Sequence, residues 1–236
     1  MSRYILKDEK LRNYYEKEGL NFSLNDYYIG VYRFYSSHAC RIAVIKKWLK
    51  LIKPGETFCE LGCGFGYFTH FVAKRGNHSV GIDISKNKIK IAERIAEKNQ
   101  LDCDFHRMDI QKMKFKNDSF DWVLSSQVLE HLPDDMKALS EIFCITKKYS
   151  IITVPKRGLF WNLFDKTSHI RSLEELGHGH FREYSTENLI EKIKRVGFKV
   201  LKVKYAGFIS PRIDLIFRHI PFMQAIICLL LIKSDP

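Results

Sequence analysis

A chain of 236 residues, 45% hydrophobic and 28% charged, is long enough for one large α/β domain with modest additions, and this composition excludes a disordered or fibrous protein. Lysine and arginine outnumber aspartate and glutamate by 39 to 27, a net charge of +12 that permits an anionic partner without requiring one. The cations, among them Lys86, Lys88, Lys90, Lys199, Lys202 and Lys204, are spread over helix faces and strand ends that read as solvated surface.

The six cysteines (Cys40, Cys59, Cys63, Cys103, Cys144, Cys228) follow no framework of spacings, and no charged-then-apolar leader opens the chain, so a reducing, cytoplasmic setting is expected. Cys59 and Cys63 lack a second Cys or His pair at zinc-finger spacing and are not expected to hold zinc.

In chain order, residues 1–50 are rich in aromatics, including Tyr14, Tyr15, Phe22, Tyr27, Tyr28, Tyr32, Phe34 and Tyr35. A first strand is expected at 56–61, after the Lys53-Pro54-Gly55 turn, and a second at 79–84. Ser85 is placed to cap a helix whose Ile89, Ala92, Ile95 and Ala96 share a face. Further strands are expected at 103–108 and 119–125, and Pro133 suits the first turn of a helix turning Met136, Leu139, Ile142 and Phe143 inward. A fifth strand at 149–154 ends before Pro155. A helix from about Ser185, with Leu189, Ile193 and Val196 on one stripe, stops at Gly197 and leads into a sixth strand at 198–204.

The run AIICLLLIK, 225–233, is too short to span a bilayer as a helix, which needs about 20 residues, and fits a buried central strand. Before it, residues 212–223 mix Leu215, Phe217 and Phe222 with Arg212 and Arg218; a lid or packing segment is the preferred reading over a patch resting on a membrane. This alternation of strands and helices builds a parallel sheet covered on both faces.

The chemistry concentrates in FCELGCGFGYF, 58–68, at the carboxyl edge of the first strand, where ligands bind in open α/β sheets. The spacing Gly62-x-Gly64-x-Gly66 opens the backbone to a ligand, but no Lys follows, as a P-loop would require. Glu60, two residues ahead of the first glycine, would repel pyrophosphate and attract a cation. The expected ligand is positively charged, and S-adenosylmethionine carries a sulfonium and an ammonium.

From about residue 40 onward the chain resembles the class I S-adenosylmethionine-dependent methyltransferases, on CELGCGFG, GIDIS, RMDI, FDWVLSSQVLEHLPD and GHGHFREYSTENLIEKIKRVGF in that order. The resemblance implies a Rossmann-like α/β fold, a three-layer sandwich around a seven-stranded, mostly parallel sheet with strand 7 antiparallel between strands 5 and 6. It implies a domain at 51–236, with insertions 155–184 and 206–224 shaping the acceptor site, and a helical extension at 1–50 closing over the cofactor.

It further implies that Glu60, Gly62, Cys63, Gly64 and Gly66 hold the amino-acid end of S-adenosylmethionine, with S-adenosylhomocysteine as product. Asp83, with Ile84, would bind the ribose, Met108, Asp109 and Ile110 would frame the adenine, and Ser126 and Gln127 would lie alongside. Ordinary loop capping is the competing reading of Asp83 and Asp109.

Methyl transfer from a sulfonium mainly needs an aligned nucleophile and exclusion of water, while a hydroxyl acceptor is helped by a base. Glu130, His131 and His180 are the candidates, with His178 in reserve. The closer resemblance is to ubiquinone-biosynthesis O-methyltransferases and small-RNA 2′-O-methyltransferases, where Glu-x-x-Glu-His and a later His gather a divalent metal. Here Gln127 replaces the first Glu, so a metal on Glu130, His131 and His180 is the minor reading.

Phe160, Trp161, Leu163 and Phe164 could line an apolar pocket. A small, lipid-like or aromatic acceptor taken up by O-methylation is expected, with peripheral membrane contact as an option. Nucleic acid is the less favoured partner, because no RNA-binding appendage is recognisable, and a non-catalytic cofactor-binding protein is a further rival. Oligomeric state is not readable.

Overall fold

A computed structural model describes residues 36–156, 181–207 and 225–234. The aromatic segment up to residue 35, the 157–180 insertion with Phe160, Trp161, His178 and His180, and the 208–224 segment lie outside the described residues.

The helices are α1 (Ser36–Leu49), α2 (Tyr67–Ala73), α3 (Lys86–Lys98), α4 (Asp135–Ile145) and α5 (Thr186–Arg195). The strands are β1 (Phe58–Leu61), β2 (Ser79–Asp83), β3 (Cys103–Arg107), β4 (Phe120–Ser126), β5 (Thr146–Pro155), β6 (Phe198–Ala206) and β7 (Ile226–Lys233). They form one sheet in the order β3-β2-β1-β4-β5-β7-β6. The first five strands pair in parallel, while β7 runs antiparallel to both neighbours, with Ile151 facing Leu230 and Val203 facing Leu229. A strand paired on both sides and covered on both faces has no polar side to show, which accounts for the unbroken apolar run of β7.

The two faces follow the alternation of side chains along each strand. Cys59, Leu61, Val123, Ile152, Leu229 and Leu231 pack with Leu139 and Ile142 of α4 and Leu189 and Ile193 of α5. Phe58, Leu124, Ile151, Cys228 and Leu230 face the other way, onto Ile45, Trp48 and Leu49 of α1 and Phe68 and Val72 of α2. Glu60 therefore points into the α1/α2 layer, on the same side of the sheet as Phe58. α3 packs Ile89, Ala92 and Ala96 against Phe105 and Cys63.

Ser85 caps α3 by accepting from the Lys88 amide, and Ser185 caps α5 by accepting from that of Asn188. Some local expectations are corrected. Pro133 lies one residue before the cap of α4, because Asp134, whose carboxylate accepts from the Lys137 amide, is the better cap. Ala138 and Ile145 are buried with Leu139 and Ile142 in α4, while Met136 and Phe143 are only half-buried. β1 is shorter than 56–61, since Glu56 is drawn off to accept from the Trp122 indole N–H and from Lys148. β5 starts directly at the end of α4, offset by an irregularity opposite Phe120 and Trp122. Lys88 is buried rather than solvated, with its ammonium over the Phe65 ring. No described helix is long and apolar enough to cross a membrane.

Gly81 in the middle of β2 shows how tightly the α3 layer is filled. A Cβ there would meet the Phe105 ring at 2.6 Å and the Cys63 sulfur at 3.0 Å. Gly81→Ala is expected to destabilise the fold by about 1–3 kcal/mol in chemical denaturation, as overpacking does, with partial recovery in the Gly81→Ala/Phe105→Leu double variant.

Candidate functional site

The carboxyl edge of the sheet brings the expected cofactor residues into one arc. After β1 the chain turns through Gly62, Gly64 and Gly66 with φ of 65°, 54° and 77°. At Gly62 a Cβ would strike the Val128 side chain at 2.6 Å, so the loop lies against the turn after β4. At Gly64 the same construction meets nothing within 4 Å, an opening where a ligand can approach bare backbone. The Cys63 amide bonds to Ile82 O and the Gly64 amide to the Asp83 carboxylate at 2.8 Å, fastening the loop to the end of β2. Cys59 and Cys63 are both buried, in different core clusters, and burial pushes both thiols up.

Glu60 is buried in this arc. One carboxyl oxygen accepts from both the amide and the hydroxyl of Thr69 at 2.7 and 2.6 Å. Burial nonetheless raises its pKa from 4.5 to about 7, with Asp83 adding to the rise. Such a group gains most from a cation that arrives with the ligand.

Asp83 and Asp109 do act as local caps. Asp83 also accepts from the Ser85 amide at 2.9 Å, and Asp109 accepts from the Gln111 amide at 2.9 Å. Both carboxylates thus do local capping at the ligand-binding edge of the sheet. Ile84, Met108, Asp109, Ser126, Gln127 and Val128 are half-buried along the rim, whereas Ile110 is buried in the core. Met108 and Asp109 line a groove of ≈ 690 Å³ whose walls also carry Lys86, Lys90, Arg107, Lys112 and Lys114. Ser126 and Gln127 are tied to Thr153 of β5, and Gln127 sits at φ 58°, a backbone position unusual for a residue with a side chain.

The turn Leu129–His131 follows. Glu130 is fully buried, and neither carboxyl oxygen accepts a hydrogen bond from any other described residue. Burial lifts its pKa to about 8, against the pull of the Arg41 charge. His131 is half-buried on the same turn. His180 lies outside the described residues; the described chain resumes at Phe181, whose amide donates to Glu130 O at 2.8 Å. Among the described residues no three His, Cys, Asp or Glu side chains gather as a ligand set. Gln127 supplies an amide where the metal-dependent pattern has a carboxylate, which weakens a divalent-metal set on Glu130, His131 and His180.

Arg41 of α1 was not singled out from the sequence. Arg41 is half-buried with its Nε fully enclosed; desolvation lowers its pKa, and the neighbouring acids Glu130 and Glu60 oppose that fall. The signal was present: half-buried Arg41 stands at helical spacing from Ile45 and Trp48, which α1 buries, and a cation at the edge of such a stripe calls for an anion. With Glu60, Arg41 provides opposite charges beside the glycine loop, suited to a ligand with both an ammonium and a carboxylate.

The sequence profile of a family described as methyltransferase domain matches residues 52–205, more than half of the chain. A phosphoethanolamine N-methyltransferase of Caenorhabditis elegans is 37% identical over 108 residues, 45% of this chain and 25% of that protein. A ubiquinone biosynthesis O-methyltransferase of Hahella chejuensis is 30% identical over 95 residues, 40% of each chain. A sterol 24-C-methyltransferase of Gibberella zeae is 31% identical over 157 residues, 64% of this chain and 41% of that one. The chain thus spans less than half the length of these relatives. Among solved structures, a magnesium protoporphyrin IX methyltransferase from Synechocystis PCC 6803 with bound SAH aligns at a TM-score of 0.70 and 15% identity, covering 97% of this chain and 100% of that one. At that identity the likeness is one of fold.

Proposed function

Because this chain belongs to the methyltransferase-domain family, we propose that it transfers the methyl group of S-adenosylmethionine to a small, apolar acceptor, with a hydroxyl oxygen as the favoured nucleophile. The carrying observation is Glu60, a buried acid heading a loop of left-handed glycines at the ligand-binding edge. The residues fit the cofactor: Glu60 takes the ammonium, Arg41 the carboxylate, Gly64 leaves room at the backbone, and Asp83 and Asp109 offer acceptors to ribose and adenine.

When bound, the cofactor supplies an electrophilic methyl on a sulfonium. The chain aligns the acceptor and keeps water out. Glu130 is matched to the remaining task, because a carboxyl titrating near 8 can take the proton of an acceptor hydroxyl as the C–O bond forms. His131, on the same turn, is the second proton acceptor. The names of the relatives span N-, O- and C-methylation, and the hydroxyl reading rests on this pair and on the likeness to the O-methylating relative.

The test is transfer of labelled methyl from S-adenosylmethionine to an alkyl-substituted catechol, an alkyl amine and a short RNA. Label on the catechol oxygen supports the proposal; label on the amine or RNA alone sinks it. RNA is the second reading, favoured by the five cations around the groove beside Asp109, and it predicts binding that weakens steeply with salt.

A pH dependence follows. In the free protein Glu60 is half protonated near pH 7, and only its carboxylate pairs with an ammonium, so cofactor affinity should fall about tenfold per unit as pH drops below 7. The free protein behaves oppositely. Glu60 and Glu130 have folded pKa values above the ordinary 4.5, so their ionisation costs stability, which declines as pH rises from 4.5 through 7 to 8. Calorimetric titration and melting curves from pH 5 to 9 check both; affinity that does not change below pH 7 counts against the Glu60 assignment.

A further inference from the structure

We propose that Arg182 is a positioning residue for the acceptor step, its guanidinium holding the turn that carries Glu130 and His131 against the chain returning from the 157–180 insertion. The proposal rests on the reading of Glu130 and His131 as the groups that face the acceptor. Arg182 Nη1 donates to Leu129 O at 3.3 Å and Leu132 O at 2.5 Å, and Nη2 to Pro133 O at 2.7 Å. Its Nε lies 3.7 Å from the Asp135 carboxylate. One residue earlier, the Phe181 amide takes Glu130 O. The turn itself is short, held by His131 N to Val128 O at 2.9 Å and Leu132 N to Leu129 O at 3.3 Å, and such 3₁₀ turns leave carbonyls to be satisfied from outside. A planar guanidinium can bind three carbonyls in one plane; an ammonium presents a single point charge and cannot fork across them.

Asp135, buried at the start of α4, separates two roles within one cluster. Lys192 of α5 binds Asp135 at 2.7 Å, joining α5 to α4, and the Tyr184 hydroxyl, which also interacts with Arg182, donates to Asp135 at 2.8 Å. Arg182 binds Asp135 and the turn. The Lys192 branch therefore serves stability, and the Arg182 branch extends it to the reacting groups.

The experiment compares Arg182→Ala, Arg182→Lys and Lys192→Met in the full chain, with the alkyl catechol as acceptor. Arg182→Ala should lower kcat by about tenfold to a hundredfold while the Kd for S-adenosylmethionine changes less than about twofold. Guanidinium chloride at millimolar concentration should restore part of the loss, and Arg182→Lys should not. Lys192→Met should lower Tm and keep kcat. Equal kcat losses in Arg182→Ala and Lys192→Met, or no response to guanidinium, overturn the proposal.

Amide hydrogen exchange at His131 and Leu132 needs no acceptor. It should quicken by about tenfold in Arg182→Ala and not in Lys192→Met. Should the parent chain leave the catechol unmethylated, the acceptor reading fails by itself, and unchanged exchange in Arg182→Ala would sink the positioning role separately.

Discussion

Glu60→Gln is expected to weaken S-adenosylmethionine binding by about a hundredfold to a thousandfold, the scale of removing one partner from a buried ion pair. Glutamine keeps the shape and can still accept from Thr69, so the glycine loop retains its support at the fastening seen for Glu60. What disappears is the negative charge facing the ammonium. Methylthioadenosine, which lacks the amino-acid end, should bind parent and variant alike, and this contrast separates a lost charge from a collapsed loop. The variant should also lose the acid-side fall in cofactor affinity, because the group that titrates near 7 is gone. Calorimetry on both ligands from pH 5 to 9 decides; equal loss for both would mean that the loop had deformed, and no loss for either would move the ammonium elsewhere.

Glu130→Gln carries the second large effect. If Glu130 accepts the acceptor's proton, kcat should fall by about a hundredfold to a thousandfold, with cofactor affinity nearly unchanged. The stability change has the opposite sign. Glutamine removes a buried group whose ionisation is costly, so the variant should gain Tm over the parent as pH rises from 4.5, the difference levelling off above about 8. Lower turnover together with higher alkaline stability is the pattern that a buried carboxylate acting as base produces; a variant that loses both would assign Glu130 a purely structural part. Assays with and without a chelator test the metal reading within the same series.

Much of this was legible in the residues because the signals are local. The glycine spacing with Glu60, the aspartate ending β2 and the serine caps of α3 and α5 each lie within a few positions of what they control. The apolar run of β7 announced a doubly covered strand. The differences arise where competition or distance decides. Asp134 displaced Pro133 from the helix start because a side-chain acceptor there outweighs a preset φ, and Glu56 left β1 for Trp122 and Lys148, far along the chain. Lys88 lies buried with its ammonium over a ring that helix periodicity could not foresee. Arg41 and Arg182 acquire meaning only once α1 and the returning segment are laid over Glu130, contacts that no short window of sequence contains.

The antiparallel placement of β7 bears on the order of assembly. β6 touches β5 nowhere in the sheet, so it cannot join until the strand that comes after it in the chain slides between the two. During synthesis β1 to β5 can pair as each emerges, while the flank of β5 stays open and greasy, a surface to which other nascent chains can adhere. Deleting residues 226–233 should therefore do more than trim an end: it should leave a five-stranded stump that clumps, with β6 and α5 deprived of a place to dock.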